Sequence, residues 1–275
     1  MNQWKTTFPE AADKQFASTV AQGIDVLAAF RPGDNSLRNR DISERTGIPR
    51  PTVTRLAATL VQLGYLRRNP SKQAGYLLGF GLLTLGYPLL ASMQLRQMAR
   101  PLMTQLASEI NGAVSLVIRD GLDMLYVETA RANEGLLTHP DIGSTLPMLT
   151  TAAGRAWLCS APANERQDVM NSLRVKLPRQ YEQGVQGVER AMKDFSRLGY
   201  CYNNTEWRAD SYGFAIPLRR ALHSRLFVFN CGVPLEAGSF EELNSIVPPK
   251  LASLVRGVEA MLGLDYGTHP GAAHP

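Results

Sequence analysis

GIPRPTVTRLAATLVQLGYLRR, residues 47–68, is the stretch from which the rest of the chain is read. Gly47-Ile48-Pro49 is turn chemistry, and the run behind it has helical spacing. At about 100° per residue, Val53, Leu56, Ala57, Leu60 and Leu63 share one side of a helix over roughly 50–62. Pro51, Thr54, Arg55, Ala58 and Gln62 fall opposite, with Thr52 at the flank. The apolar side predicts docking on neighbouring helices. The other side is narrow and small enough to approach a DNA major groove about 12 Å wide.

Charge is concentrated around this helix. Residues 36–80 hold 8 Lys and Arg against 2 Asp and Glu, and residues 1–80 hold 11 against 6, whereas residues 81–275 hold 18 of each. A localised positive surface is the footprint of a polyanion binder.

Working outward, FASTVAQGIDVLAAF (16–30) carries Phe16, Val20, Ile24 and Leu27 at helical spacing and ends in the turn RPGDN. A short helix is predicted over 39–46, stopped by Gly47 and Pro49. After the quoted helix, TyrLeuArgArg (65–68) and Gly75-Tyr76-Leu77-Leu78 read as two strands around a turn at 69–72. Helix, helix, tight turn, helix and ribbon is the order of a winged helix-turn-helix. On that plan Arg55 and the hydroxyls of Thr52 and Thr54 face base edges or phosphates, Arg50 sits at the helix N-terminus, where backbone N–H groups favour a phosphate, and Arg67, Arg68 and Lys72 grip the flanking backbone.

From Gln73 to Leu95 no residue is charged, yet five helix-weakening residues, Gly75, Gly79, Gly81, Gly86 and Pro88, argue against a membrane span. A linker helix over 81–100, buried against a partner subunit, is expected instead. Gly79-Phe80-Gly81 lacks the third glycine of a dinucleotide fingerprint, since Thr84 stands there. Beyond Gly112, AVSLVIRD and LDMLYVETA alternate as strands. STLPMLTTAAGRAWLCS runs from a short strand into a helix near Thr151. Helices are predicted over 163–175, 188–199 and 240–263, strands over 200–204, 211–218 and 226–234, and a mobile tail over 265–275. Three cysteines with no Cys-x-x-Cys pair fit reduced thiols in a cytoplasm, and the charged N-terminal stretch carries no export signal.

The runs GIPRPTVTRLAATLVQLGYL and GYLLGFGLLTLG, followed by LPMLTTAAGRAWL and GYCYNNTEW…GFAIPL, resemble the IclR family of bacterial transcriptional regulators, in the family's order, over about residues 16–264. Pro51 departs from the family's hydroxyl residue, which removes one candidate phosphate contact. The resemblance implies a two-domain α+β chain with three parts: a winged helix-turn-helix over 1–80, the linker helix, and a GAF-like α/β effector-binding domain over 101–264. It also implies operator DNA and a small organic acid as partners, in a homodimer or homotetramer. Carried over by position, the effector pocket takes Met148, Ala152 and Ala153 from the first element and Asn203 and Gly213 from the second; Trp207 and Tyr212 lie close in sequence and suggest an aromatic acid. Thr150 or Thr151 is expected to cap the helix, and Arg155 to face solvent or a neighbouring subunit.

Two other readings stay open. An enzyme with a basic adapter domain lacks Gly-x-Ser-x-Gly, His-Glu-x-x-His and any carboxylate pair suited to acid–base work; His139 stands in a loop, and no cofactor or metal is expected. An architectural DNA binder without an effector would fill its pocket with side chains.

Overall fold

In the computed structural model, which describes residues 16–70, 75–133 and 141–264, the chain divides after Ser92 into two units. In the first, α1 (Ser18–Ala28), α2 (Asn39–Thr46) and α3 (Arg50–Gln62) are followed by β1 (Leu66–Arg68), β2 (Tyr76–Leu78) and α4 (Gly81–Ser92). Gly47 ends α2 at φ 76°, a left-handed cap that a side chain would strain, and the next two residues turn the chain into α3. Val53, Leu56, Ala57 and Leu60 are buried with Val26 of α1, Ile42 of α2 and Leu66 of β1. Arg67 pairs with Leu77 in the antiparallel wing, and Leu37 bridges to Tyr76.

The second unit is built from α5 (Gln94–Glu109), β3 (Ala113–Asp120), β4 (Asp123–Arg131), β5 (Thr145–Pro147), α6 (Ala152–Ser160), α7 (Ala163–Lys176), α8 (Pro178–Leu198), β6 (Cys201–Asn204), β7 (Ser211–Pro217), β8 (Phe227–Pro234) and α9 (Phe240–Met261). Its strands form one six-stranded sheet, ordered β5-β4-β3-β8-β7-β6, with every neighbour antiparallel. Side chains alternate across the pleat. Val114, Leu116, Phe214 and Phe229 meet α5 and α9 on one face, while Val117, Tyr126, Ala215 and Val228 meet α6, α7 and α8 on the other. Helices cover both faces of the sheet.

Two expectations need correcting here. Residues 81–100 are not one helix: the path breaks at Met93, and residues 94–100 belong to α5, whose Leu95 and Ala99 are buried against the second unit's sheet. Arg96 and Arg100 also clamp the buried Glu128 of β4 at 3.0 and 2.8 Å. The second helix after α6 starts at Pro178, ten residues before Val188, where the sequence reading began it. Gly184 and Gly187 lie inside this helix. In the fold they let α8 approach closely, since an added Cβ would fall 2.4 Å from Leu149 Cβ and 2.1 Å from Arg155 Nη2 respectively. The tail at 265–275 lies outside the described residues.

Candidate DNA-binding face and effector cavity

On α3 Val53, Leu56, Ala57 and Leu60 are covered, whereas Leu63, just past its end, is exposed; Pro51, Thr54, Arg55, Ala58 and Gln62 are also exposed, with Thr52 partly so. Pro51 sits in the first turn, where its missing N–H has no helical carbonyl to meet. Arg50 is exposed as the first residue of the helix, and Pro49 before it supplies no side-chain cap, so the first-turn amides stay open to an anion. Thr54 is pinned: its hydroxyl donates to Arg50 O at 3.0 Å and accepts from Asn39 Nδ2 at 2.9 Å, tying α3 to α2. Its methyl group, more than its donor, is what it offers outward.

The basic residues separate into two sets. Arg45 is bound to Asp34 at 2.5 and 3.0 Å and to Ala29 O at 2.9 Å, so it holds α2 against the preceding turn. The same pairing keeps the Asp34 carboxyl below its ordinary range. Arg40 pairs with Glu44 one helical turn on. Among the described residues, no carboxylate pairs with Arg50, Arg55, Arg67 or Arg68. Arg67 and Arg68 are exposed on the wing, with Arg67 lying 5.8 Å from the Phe80 ring centroid. Lys72 lies outside the described residues.

In the second unit a narrow cavity of about 40 Å³ opens between the head of α6 and the sheet. Ala152, Asn203, Trp207, Tyr212 and Gly213, all singled out in the sequence, line it together. Met148 and Ala153 do not. Both are buried in the core between α6 and the sheet, because the residues beside an inward-facing position turn their side chains elsewhere. At Gly213 an added Cβ would already touch Asn203 Cβ at 3.4 Å and Ala152 Cβ at 3.5 Å, so a larger side chain there would enter the cavity. Thr151 caps α6, accepting the Gly154 N–H at 3.2 Å and donating to Pro147 O at 2.8 Å. The first-turn amides of Ala152 and Ala153 have no helical carbonyl to meet.

Five polar lining residues escaped the sequence reading: Ser115, Tyr126, Arg208, Ser211 and Asn230. Three of them alternate with core residues along strands, which gives them no local signal. Arg208 did carry one, since it directly follows Trp207. Its guanidinium lies 5.9 Å from the Trp207 ring centroid and binds Asp210 at 2.9 and 2.7 Å, which drives the Asp210 carboxyl down to about 2. Burial raises the Tyr126 phenol well above its usual range, so it stays neutral.

Behind the cavity Asn203 donates to Thr150 O and to Glu206 Oε2. Glu206 in turn binds Arg155 and Arg190. Arg155, expected at the surface, is 5% exposed, held by Leu149 O at 3.0 Å, Tyr202 O at 3.2 Å and Glu206. The glycine at 187 makes room for its guanidinium, and these acceptors make burial of the charge tolerable.

Family models match both units: the IclR helix-turn-helix domain over residues 19–70 and the bacterial transcriptional regulator IclR C-terminal domain over 88–235. HTH-type transcriptional regulator TsaQ1/TsaQ2 of Comamonas testosteroni is 30% identical over 244 residues, covering 88% of this chain and 87% of the relative. The crystal structure of an IclR family transcriptional regulator from Brucella abortus superposes with a TM-score of 0.80 at 37% identity, over 92% of this chain and 95% of that one. An IclR homologue from Microbacterium hydrocarbonoxydans, crystallised with 4-hydroxybenzoate, shares the fold: TM-score 0.70, 20% identity, 90% of this chain and 100% of that one.

Proposed function

Because the chain belongs to the IclR family of bacterial transcriptional regulators, which bind DNA through a helix-turn-helix and carry a C-terminal effector domain, we propose which residues do each task here. Arg55 reads a guanine edge in the major groove, flanked by Thr52 and the methyl of Thr54. Arg50 and the open amides of α3 hold a phosphate, while Arg67, Arg68 and Lys72 hold the backbone beside it. The observation that carries this reading is the row of exposed guanidinium groups without carboxylate partners, opposite the buried Val53, Leu56 and Leu60. Fluorescence anisotropy with the DNA upstream of the protein's own gene tests it. Specific binding that weakens steeply with salt is expected, and equal affinity for scrambled duplex refutes it.

The ligand of this site is a small carboxylic acid, with aromatic acids the first class to assay, and the cavity of about 40 Å³ must widen to admit a ring. Arg208 and the amides at the head of α6 receive the carboxylate, and Trp207 and Tyr212 flank the ring. The polar lining of the cavity, with Asn203, Arg208 and Asn230 in it, favours a sensor over an architectural binder. The Microbacterium homologue's 4-hydroxybenzoate belongs to this chemical class and is the first compound to assay. Thermal shift with benzoate, 4-hydroxybenzoate and aliphatic acids decides the matter: no stabilisation by any of them refutes the assignment.

The reading includes no catalytic step and places the protein with DNA in the cytoplasm. No helix among the described residues is long and apolar enough to cross a membrane. Phe80, Leu83, Leu85, Tyr87 and Leu89 are exposed on and beside α4, and a second copy of the chain covers them in a homodimer or homotetramer. A two-fold pair sets recognition helices about 34 Å apart on a near-palindromic site. Light scattering that finds a monomer at micromolar concentration overturns this part.

A further inference from the structure

Cys159 and Cys201 lie 42 residues apart in sequence, yet their Sγ atoms are 3.8 Å apart. The first belongs to the last turn of α6 and is partly exposed; the second opens β6 and is buried. Two cations flank the first. Arg166 reaches the end of α6 to donate to Leu158 O and Ala161 O at 3.4 Å each, and Arg155 lies one turn back along the helix. The hydrogen bond from the Cys201 thiol, with the charges of Arg166 and Arg155, lowers the Cys159 thiol below its ordinary range. Cys201, as the donor of that bond and buried besides, is raised far above it. One sulfur is therefore partly exposed and beside two cations, and its neighbour is covered and in contact.

We infer that Cys159 and Cys201 are a hydroperoxide-reactive pair, in which Cys159 is oxidised first and Cys201 resolves it into an intrachain disulfide. The Cys159 thiolate attacks one oxygen of hydrogen peroxide. The O–O bond breaks, and hydroxide leaves and takes a proton as water, so Cys159 becomes a sulfenic acid. Cys201 then gives up its proton as its Sγ attacks Cys159 Sγ. The S–O bond breaks, and the departing hydroxide takes that proton as a second water. Two thiols lose two electrons and two protons, and one peroxide accepts them. Closing the sulfurs to a bond of about 2.0 Å needs a shift of roughly 2 Å. The new bond ties α6 to β6, whose Ala152 and Asn203 both line the effector cavity.

Cys231 is an internal control. It is fully buried in the sheet, and burial raises its thiol, so it stays reduced. The test is peptide mass spectrometry of the full-length reduced protein after a few equivalents of hydrogen peroxide, with alkylation of the remaining thiols on unfolding. The expected product joins the Cys159 and Cys201 peptides with a loss of two hydrogens, is reversed by dithiothreitol, and leaves Cys231 alkylated. Cys201→Ser should leave a sulfenic acid at Cys159 that dimedone traps, and Cys159→Ser should abolish both products. The wild-type measurement stands without either variant. Oxidation of Cys159 to sulfinic acid with no linkage, a bond between two chains, or reaction of Cys231 at the same rate would each overturn the inference.

Discussion

Arg55→Ala separates base reading from general attraction. The side chain is exposed on α3 and, among the described residues, pairs with no carboxylate, while the neighbouring core positions Val53, Leu56 and Ala57 are closed without it. Alanine also favours a helix at least as well as arginine. The melting temperature should therefore stay within about 2 °C of the parent, as expected for a surface change worth under about 0.5 kcal/mol. Losing a bidentate contact to guanine costs about 1–3 kcal/mol, an affinity loss of roughly 5- to 150-fold on the operator. On scrambled duplex the loss is only that of one positive charge, so the ratio of specific to non-specific affinity must fall. Competition gel shifts with single-base operator variants give the sharper readout, since the variant should stop discriminating at one base step and at no other. Operator affinity left unchanged would refute the assignment of Arg55, and so would an equal drop on every duplex.

Further perturbations probe the rest. Arg68→Ala should reduce the slope of log affinity against log salt by about 0.9 while leaving base preference alone, and Lys72→Ala should do the same; anisotropy titrations across a salt series measure both. Gly187→Ala places a methyl against Arg155 Nη2 and should push that guanidinium off Glu206, at a cost of about 3 kcal/mol or more; calorimetry should show the melting temperature falling by roughly 6–12 °C. Arg208→Ala should abolish stabilisation by aromatic acids in thermal shift while the wing and α3 still bind operator. Asp123 is held protonated up to about 6, mainly by burial and then by Asp120, with its Oδ1 buried and unsatisfied. The folded state then holds a proton that the unfolded chain releases near 3.8, so this site's contribution to stability falls as pH rises from about 4 to 6. Asp123→Asn should out-stabilise the parent at pH 7.5 and lose that advantage at pH 4; a pH-independent difference in melting temperature would contradict this.

The first unit was legible because its information is local. A glycine and two prolines bracket α2 and α3, and a single helix carries both the core stripe and the cations. The role of Arg45 was not legible, since nothing near it in sequence marks Asp34 as its partner. The second unit shows how far local signals reach. Its strands could be read from alternation, but their order could not, because β3 pairs with β8 across the whole unit. Ala152, Asn203 and Gly213 followed from resemblance, whereas Ser115, Tyr126 and Asn230 reach the same cavity only through the register of strands distant in sequence. Arg155 was misjudged for a related reason: a charged residue on a short helix implies solvent unless the glycine that admits it, and the carboxylate that holds it, are already known.

The partnership of β3 with β8 also sets a timetable for synthesis. Val114 is aligned with Cys231, so the middle of the sheet joins the earliest strand of this unit to its last. While the ribosome is still translating the segment between them, β3 and β4 can form a hairpin, but its inner edge stays unpaired and open to other chains. A nascent chain stalled before Phe227 should then be a substrate for holdases and proteases, while the first unit, finished much earlier, is already folded.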